Sequence, residues 1–266
     1  MCLIILSWRE DPQYPLVVAA NRDELHERPT RPADWWHDSP SVLAGRDLVG
    51  GGTWMGVSAS GRFAAVTNYR DGLATPPDGP SRGLLVIRFL RTDSTAAEFL
   101  AQARTEVPLF APFNLFVCDG RTLGYLSSVQ PEAEILSPGV HGLSNGLLDS
   151  RWPKVERGRT ALRATLGRGA PDMVDRLFMM LRDTTRADDG ELPDTGVGLE
   201  LERDLSPMFI VSPWHGTRSS TVLLIRAGGE IDYQERAFDA EGRMTERRSY
   251  RFHTDGEPAG SPRESR

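Results

Sequence analysis

Hydrophobic residues open the chain in two short runs, 2–8 (CLIILSW) and 15–21 (PLVVAAN), separated by Glu10-Asp11-Pro12-Gln13. Two such runs around a polar break predict a β-hairpin. Neither run alternates, so apolar residues fall on both strand faces and both faces need cover. A second hairpin is predicted from 53–59 and 62–68 around Ser60-Gly61, and a third from 218–226 and 230–238 around Gly228-Gly229. Further strand-like runs lie at 113–118, 122–128, 139–143 and 244–252.

Helical spacing appears at 82–91 after Ser81, at 95–104 after Ser94, and at 152–167 and 172–183. In the last of these, Met173, Val174, Leu177, Met180 and Leu181 recur along one face. The acidic segment 184–206 is expected to be a long surface loop, and the polar tail 254–266 to be disordered beyond a single domain over 1–253. Strands, two helices, strands, two helices and strands again define an α+β chain. Sheets that need cover on both faces suggest two packed sheets between helical layers.

The 266 residues are enough for a sizeable core. A formal charge of -6 argues against nucleic acid as the main partner, since phosphate binding needs a basic face. Of the 31 basic residues only Lys154 is a lysine, which sets most lysine-based catalysis aside. Cys2 and Cys118 cannot build a disulfide framework, the five histidines show no metal-ligand spacing, and no metal is expected. No apolar run approaches the roughly 20 residues of a membrane span. The start of the chain lacks the basic region of a signal peptide, so the expected setting is cytoplasmic.

Cys2 carries the most specific chemical possibility. Removal of Met1 leaves a cysteine whose free α-amine, with an ordinary pKa of about 7.7–8.0 against about 8.5 for the thiol, can take the thiol proton. One residue then supplies nucleophile and base. The competing reading is a small buried strand residue. Hairpin geometry sets Cys2 roughly opposite Asn21, so the run Asn21-Arg22-Asp23-Glu24 emerges beside it. Strand parity puts Asn21 and Asp23 on one face and Arg22 and Glu24 on the other, and one pair faces Cys2 unless the strand bends. A cation there favours thiolate, and a carboxylate can orient the α-ammonium.

Asn68, at a strand end, and Asn145, after His141-Gly142-Leu143-Ser144, are candidate oxyanion donors, each worth roughly 3–4 kcal/mol if preorganised. Arg218 is a candidate anchor for an acidic substrate group. Trp54, with Trp35-Trp36, is a candidate pocket lining. Asparagines also satisfy turns, and tryptophans also fill cores. Gly50-Gly51-Gly52 is followed by no GK[ST], and no GxSxG elbow is present.

Taken in order, several motifs resemble the NRDE family, the transport and Golgi organisation 2 proteins. They are Met1-Cys2, Ala20-Asn21-Arg22-Asp23-Glu24, Arg28-Pro29, Gly51-Gly52-Thr53-Trp54, Thr67-Asn68-Tyr69-Arg70, Phe113-Asn114-Leu115, Gly142-Leu143-Ser144-Asn145, Trp152-Pro153-Lys154 and Gly216-Thr217-Arg218. That family is distantly similar to the N-terminal nucleophile (Ntn) hydrolases of the bile-salt hydrolase and penicillin V acylase group.

The resemblance implies a four-layer αββα sandwich with antiparallel sheets and a Cys2 nucleophile that cleaves a linear amide or N-acyl substrate. Arg22, Asp23, Asn68 and Asn145 are its implied catalytic partners, with Asn21, Glu24, Trp54 and Arg218 as substrate contacts. The acylases separate their arginine and aspartate by three residues. Here Arg22 and Asp23 are adjacent, which leaves Asp23 or Glu24 as the acid. The family's association with haem trafficking and acyl-lipid homeostasis supplies the alternative, a non-catalytic carrier of haem or an acyl lipid. The hydrolase needs no cofactor.

Overall fold

In the computed structural model, residues 2–72 and 78–254 are described. β1 (Cys2–Asp11) and β2 (Tyr14–Leu25) form the first predicted hairpin, and Asp11 closes its turn by accepting from the Gln13 amide at 2.8 Å. Parity splits the apolar residues between two cores. Ile4, Leu6, Leu16 and Val18 enter one, and Leu3, Ile5, Val17 and Ala19 enter the other. Burial of each large side chain contributes about 1.5–3 kcal/mol, so both faces recruit a cover.

A hairpin that the apolar pattern did not announce follows, β3 (Thr30–Trp36) with β4 (Ser39–Asp47). β5 (Met55–Ser58) and β6 (Phe63–Asn68) are the second predicted hairpin. Then come α1 (Gly83–Arg91), α2 (Ala96–Glu106), β7 (Phe113–Cys118), β8 (Leu123–Ser127), the short β9 (Glu134–Ile135) and β10 (Gly139–Leu143). α3 (Pro153–Thr165), α4 (Ala170–Leu181) and α5 (Leu199–Asp204) precede β11 (His215–Ile225), β12 (Glu230–Phe238) and β13 (Met244–His253).

The strands build two antiparallel sheets, β10-β1-β2-β11-β12-β13 and β3-β4-β5-β6-β7-β8-β9. Their facing sides share a core in which Ile4, Val18 and Tyr233 meet Leu43, Val57, Phe63 and Phe116. α1 and α2 cover the outer face of the second sheet through Leu85, Phe89 and Leu100. α3 and α4 cover the outer face of the first through Val155, Leu162, Leu177 and Phe178. The chain is thus the expected four-layer αββα sandwich.

Three local expectations change. α1 starts from Arg82 with no side-chain cap, and α2 starts from Thr95 rather than Ser94, because Glu98 stands three residues after Thr95 and completes a capping box. The 184–206 segment is no free loop. It contains α5, whose Glu202 is buried, ion-paired with Arg70 at 2.7 Å and hydrogen-bonded by Thr195, so one of its acids anchors it inward. Of the 254–266 tail, the Thr254 amide donates to the Gly229 carbonyl, and 255–266 lie outside the described residues. No helix among the described residues is long and apolar enough to cross a membrane.

Candidate active site

The two sheets part at the end where β1 begins, around a cavity of about 500 Å³. Cys2 lines it and is 7% exposed. Its cross-strand partner is Arg22, one residue beyond the expected Asn21, and direct partners share a face. Arg22 therefore borders the cavity beside the thiol.

β2 also bends here. Thr217 of β11 pairs with Asp23 and Ser219 with Arg22, leaving Arg218 as an extra residue in a bulge. Arg22, Asp23 and Glu24 all line the cavity, Arg22 and Glu24 on the face of Cys2 and Asp23 with its carboxylate turned to Thr217 and Lys154.

Asp23 is buried and accepts from Thr217 Oγ1 at 2.7 Å, while its own backbone amide donates to the Cys2 thiol. Burial pushes the Asp23 carboxyl up, and the nearby Lys154 ammonium is the largest influence holding it down. Lysine counting set this chemistry aside, yet the one lysine lies behind the nucleophile's strand. Lys154 is 2% exposed, donates from Nζ to the Leu205 carbonyl at 2.8 Å, and is held down to about 8 by burial, with Asp23 opposing. Burial likewise raises the Cys2 thiol, Asp23 adds to the rise, and Arg22 opposes it. A thiol in that state needs a base to become a nucleophile.

Asn68 and Asn145 divide their expected task. Ser144-Asn145 stitches the sheets together at the cavity's end. Ser144 Oγ donates to the Cys2 carbonyl at 3.0 Å, Thr67 Oγ1 to the Ser144 carbonyl at 2.7 Å, and Asn145 Nδ2 to the Asn68 carbonyl at 2.9 Å. Asn68 lines the cavity. Asn145 is fully buried outside the lining, with its Nδ2 on the Asn68 carbonyl.

Asn21 also stands outside the lining. It points to the helical layer, fully buried, with Nδ2 donating to the Leu181 and Met208 carbonyls at 2.8 Å each and Oδ1 accepting from Ser220 at 2.6 Å. Its amide is spent on fastening the 182–210 segment, because odd positions of β2 face α3 and α4. Trp54, Glu24 and Arg218 do border the cavity. Trp36 instead donates to the Ala44 carbonyl under α1, and Trp35 packs on Phe252.

Several cavity residues escaped the sequence reading. Arg82 was hidden as the first residue of a helical pattern. Glu235 was hidden inside a strand run; it is buried, accepts from the Ala33 amide at 2.7 Å, and is pushed up to about 6 by burial. Arg28 grips Asp47 at 2.7 Å, and Asp47 also accepts from the Val49 and Gly50 amides, shaping the glycine loop at the rim. Asn114, quoted above as a motif, supports the stitch by donating to Thr67 and to the Gly146 carbonyl. No group of three or more His, Cys, Asp or Glu is arranged to hold a metal ion among the described residues.

Residues 1–240 match the family described as Transport and Golgi organisation 2. The human Transport and Golgi organization protein 2 homolog is 32% identical over 275 residues, covering 95% of this chain and 99% of that protein. The cattle homolog is 34% identical over 257 residues, and the Drosophila melanogaster protein is 26% identical over 263. Among solved structures, the Caenorhabditis elegans ortholog of N-acylethanolamine-hydrolyzing acid amidase aligns with a TM-score of 0.48 at 13% identity, covering 84% of this chain and 92% of that one. The C2A mutant of conjugated bile acid hydrolase from Clostridium perfringens aligns with a TM-score of 0.48 at 10% identity, covering 96% and 98%.

Proposed function

The chain belongs to the Transport and Golgi organisation 2 family, and on that premise we propose that it is an amidohydrolase whose nucleophile is Cys2, exposed as the first residue once Met1 is removed. The observation that carries the reading is the convergence of the Cys2 thiol with Arg22, Asp23 and Asn68 on one cavity sized for a small molecule. In the proposed reaction the Cys2 α-amine takes the thiol proton and sulfur attacks an amide carbonyl. The Asn68 carboxamide donates to the resulting oxyanion. The carbon–nitrogen bond breaks as the α-ammonium returns its proton to the leaving amine, and water then hydrolyses the thioester. Asp23, whose carboxyl burial pushes up while the Lys154 ammonium favours its ionised form, orients the α-ammonium. Arg22 offsets the negative charge that builds on sulfur.

Intact mass and native alkylation test the first half. The expected protein lacks Met1 and takes one iodoacetamide at Cys2, while Cys118, pushed up to about 12 by burial, stays unlabelled. A panel of N-acyl substrates tests the second half, with hydrolysis lost in Cys2→Ala. A retained Met1 with equally slow labelling of both cysteines overturns the mechanism and returns the cavity to the carrier reading.

A further inference from the structure

The cavity holds more positive charge near Cys2 than the protein neutralises. Arg22 is 8% exposed, and its ion-pair partner is Glu24 at 3.5 Å, a carboxylate it shares with Arg28 at 3.7 Å. Arg82 donates through Nη1 to the Pro112 carbonyl at 2.9 Å. Arg218 donates through Nη1 to the Leu25 and His26 carbonyls, at 2.9 Å each, and more weakly to that of Arg28. Neither Arg82 nor Arg218 has a carboxylate within ion-pair distance among the described residues, and neither donates from Nε or Nη2 to a described residue. A carbonyl dipole orients a guanidinium without cancelling its charge, and half-buried charges need a countercharge.

The remaining acids are committed elsewhere. Asp47 belongs to Arg28, Asp23 to Thr217 with Lys154 behind it, and Glu246 to Arg248. Glu235 is turned to the Ala33 amide. Cys2 does not supply the anion either, since its thiol is raised and stays protonated at neutral pH.

We propose that Arg22, Arg82 and Arg218 form an anion site beside Cys2 that takes the carboxylate or phosphate of the substrate, so that the amide cleaved carries a negatively charged group close to its carbonyl. This deepens the hydrolase reading and rests on it for the identity of the bond cleaved. The anion site itself stands on the three guanidiniums. Two of them, Arg82 and Arg218, come from different sheets' edges of the cavity, α1 and the β11 bulge, so a bound anion bridges both walls. Free Nε and Nη2 edges suit the paired oxygens of carboxylate and phosphate alike.

Cys2 itself reports on the site. Iodoacetate and iodoacetamide alkylate the same sulfur and differ in charge, so their rate ratio at Cys2, divided by that for N-acetylcysteine, measures local anion preference alone. The expected normalised ratio is about 10 or more, a factor equal to about 1.4 kcal/mol, falling with added salt. It drops towards 1 in the double variant Arg82→Gln with Arg218→Gln and is largely kept when both are changed to Lys.

Thermal denaturation supplies the second measurement. Inorganic phosphate, against chloride at equal ionic strength, raises the melting temperature of the wild type and not of the glutamine variant. A normalised ratio near 1 with no phosphate stabilisation overturns the anion site while leaving the nucleophile in place. Should neither reagent reach Cys2, the hydrolase reading fails and the phosphate measurement alone decides the anion site.

Discussion

Asn145 holds Asn68 by its backbone, Nδ2 to carbonyl oxygen at 2.9 Å, across the gap between the two sheets. The two asparagines therefore separate on mutation. Asn68→Ala is expected to lower kcat by about 10²–10³-fold with the melting temperature nearly unchanged, since the donor is lost and the scaffold kept. Asn145→Ala orphans a carbonyl at the stitch, costs about 1–3 kcal/mol, and lowers activity and stability together. Turnover and thermal denaturation of both variants check this. A loss of activity at full stability in Asn145→Ala would put that side chain at the reacting carbonyl.

Lys154 makes stability rise in mild alkali. It titrates near 8 in the folded chain against an ordinary 10.5, so the unfolded chain holds that proton more tightly between the two values. The penalty for burying the ammonium is full below about 8 and is relieved as pH climbs to about 10.5. Lys154→Met has no such relief. The wild type should gain on the order of 3 kcal/mol relative to the variant over that window. Urea denaturation of both at several pH values reads the difference, which also cancels the tyrosine and cysteine titrations common to them.

Glu235 acts with the opposite sign and in acid. Its carboxyl is pushed from an ordinary 4.5 up to about 6, so the unfolded chain gives up that proton first as pH rises. Its contribution is best below about 4.5, is lost by about 6, and is level above. Relative to Glu235→Gln, the wild type should lose on the order of 2 kcal/mol across that interval. A flat difference curve would show that the carboxyl titrates alike in the folded and unfolded chains and that its burial does not shift it.

Asn21→Ala should destabilise without disarming the thiol. It strands the Leu181 and Met208 carbonyls and the Ser220 hydroxyl, a cost of at least about 2 kcal/mol. Native alkylation of Cys2 in the fraction that stays folded should match the wild type. Slower alkylation in folded protein would return Asn21 to the site.

The first, second and third hairpins and four of the helices were legible because apolar parity and spacing report burial directly, as the split between Ile4, Leu6 and Leu3, Ile5 shows. β3 was not, because Arg31, Pro32 and Asp34 make this edge strand look like a loop, and edges need no continuous apolar face. The inner β4 was not, because Ser39, Pro40 and Ser41 open it and Arg46 and Asp47 close it around a short apolar stretch. The site was half legible. Cys2, Arg22 and Asp23 follow from a hairpin register correct to one residue. Arg82 and Glu235 reach the cavity, and Lys154 the far side of the nucleophile's strand, from distant segments, by contacts that no local spacing encodes. Lys154 was also masked by its rarity: one lysine reads as an absence until the fold shows where it stands.

The extra residue at Arg218 has a topological effect that outlasts its charge. Thr217 turns to the helix side of the sheet, where it meets Asp23, whereas Ser219, two positions on, opens to the cavity. In an unbroken strand those two would look the same way. Deleting Arg218 would set Thr217 and Ser219 side by side opposite Asp23 and Arg22, so both would keep their present faces and Asp23 its hydroxyl, and only the guanidinium held over Leu25 and His26 would go. Loss of that one residue should therefore leave the melting temperature nearly unchanged and lower the anion preference at Cys2.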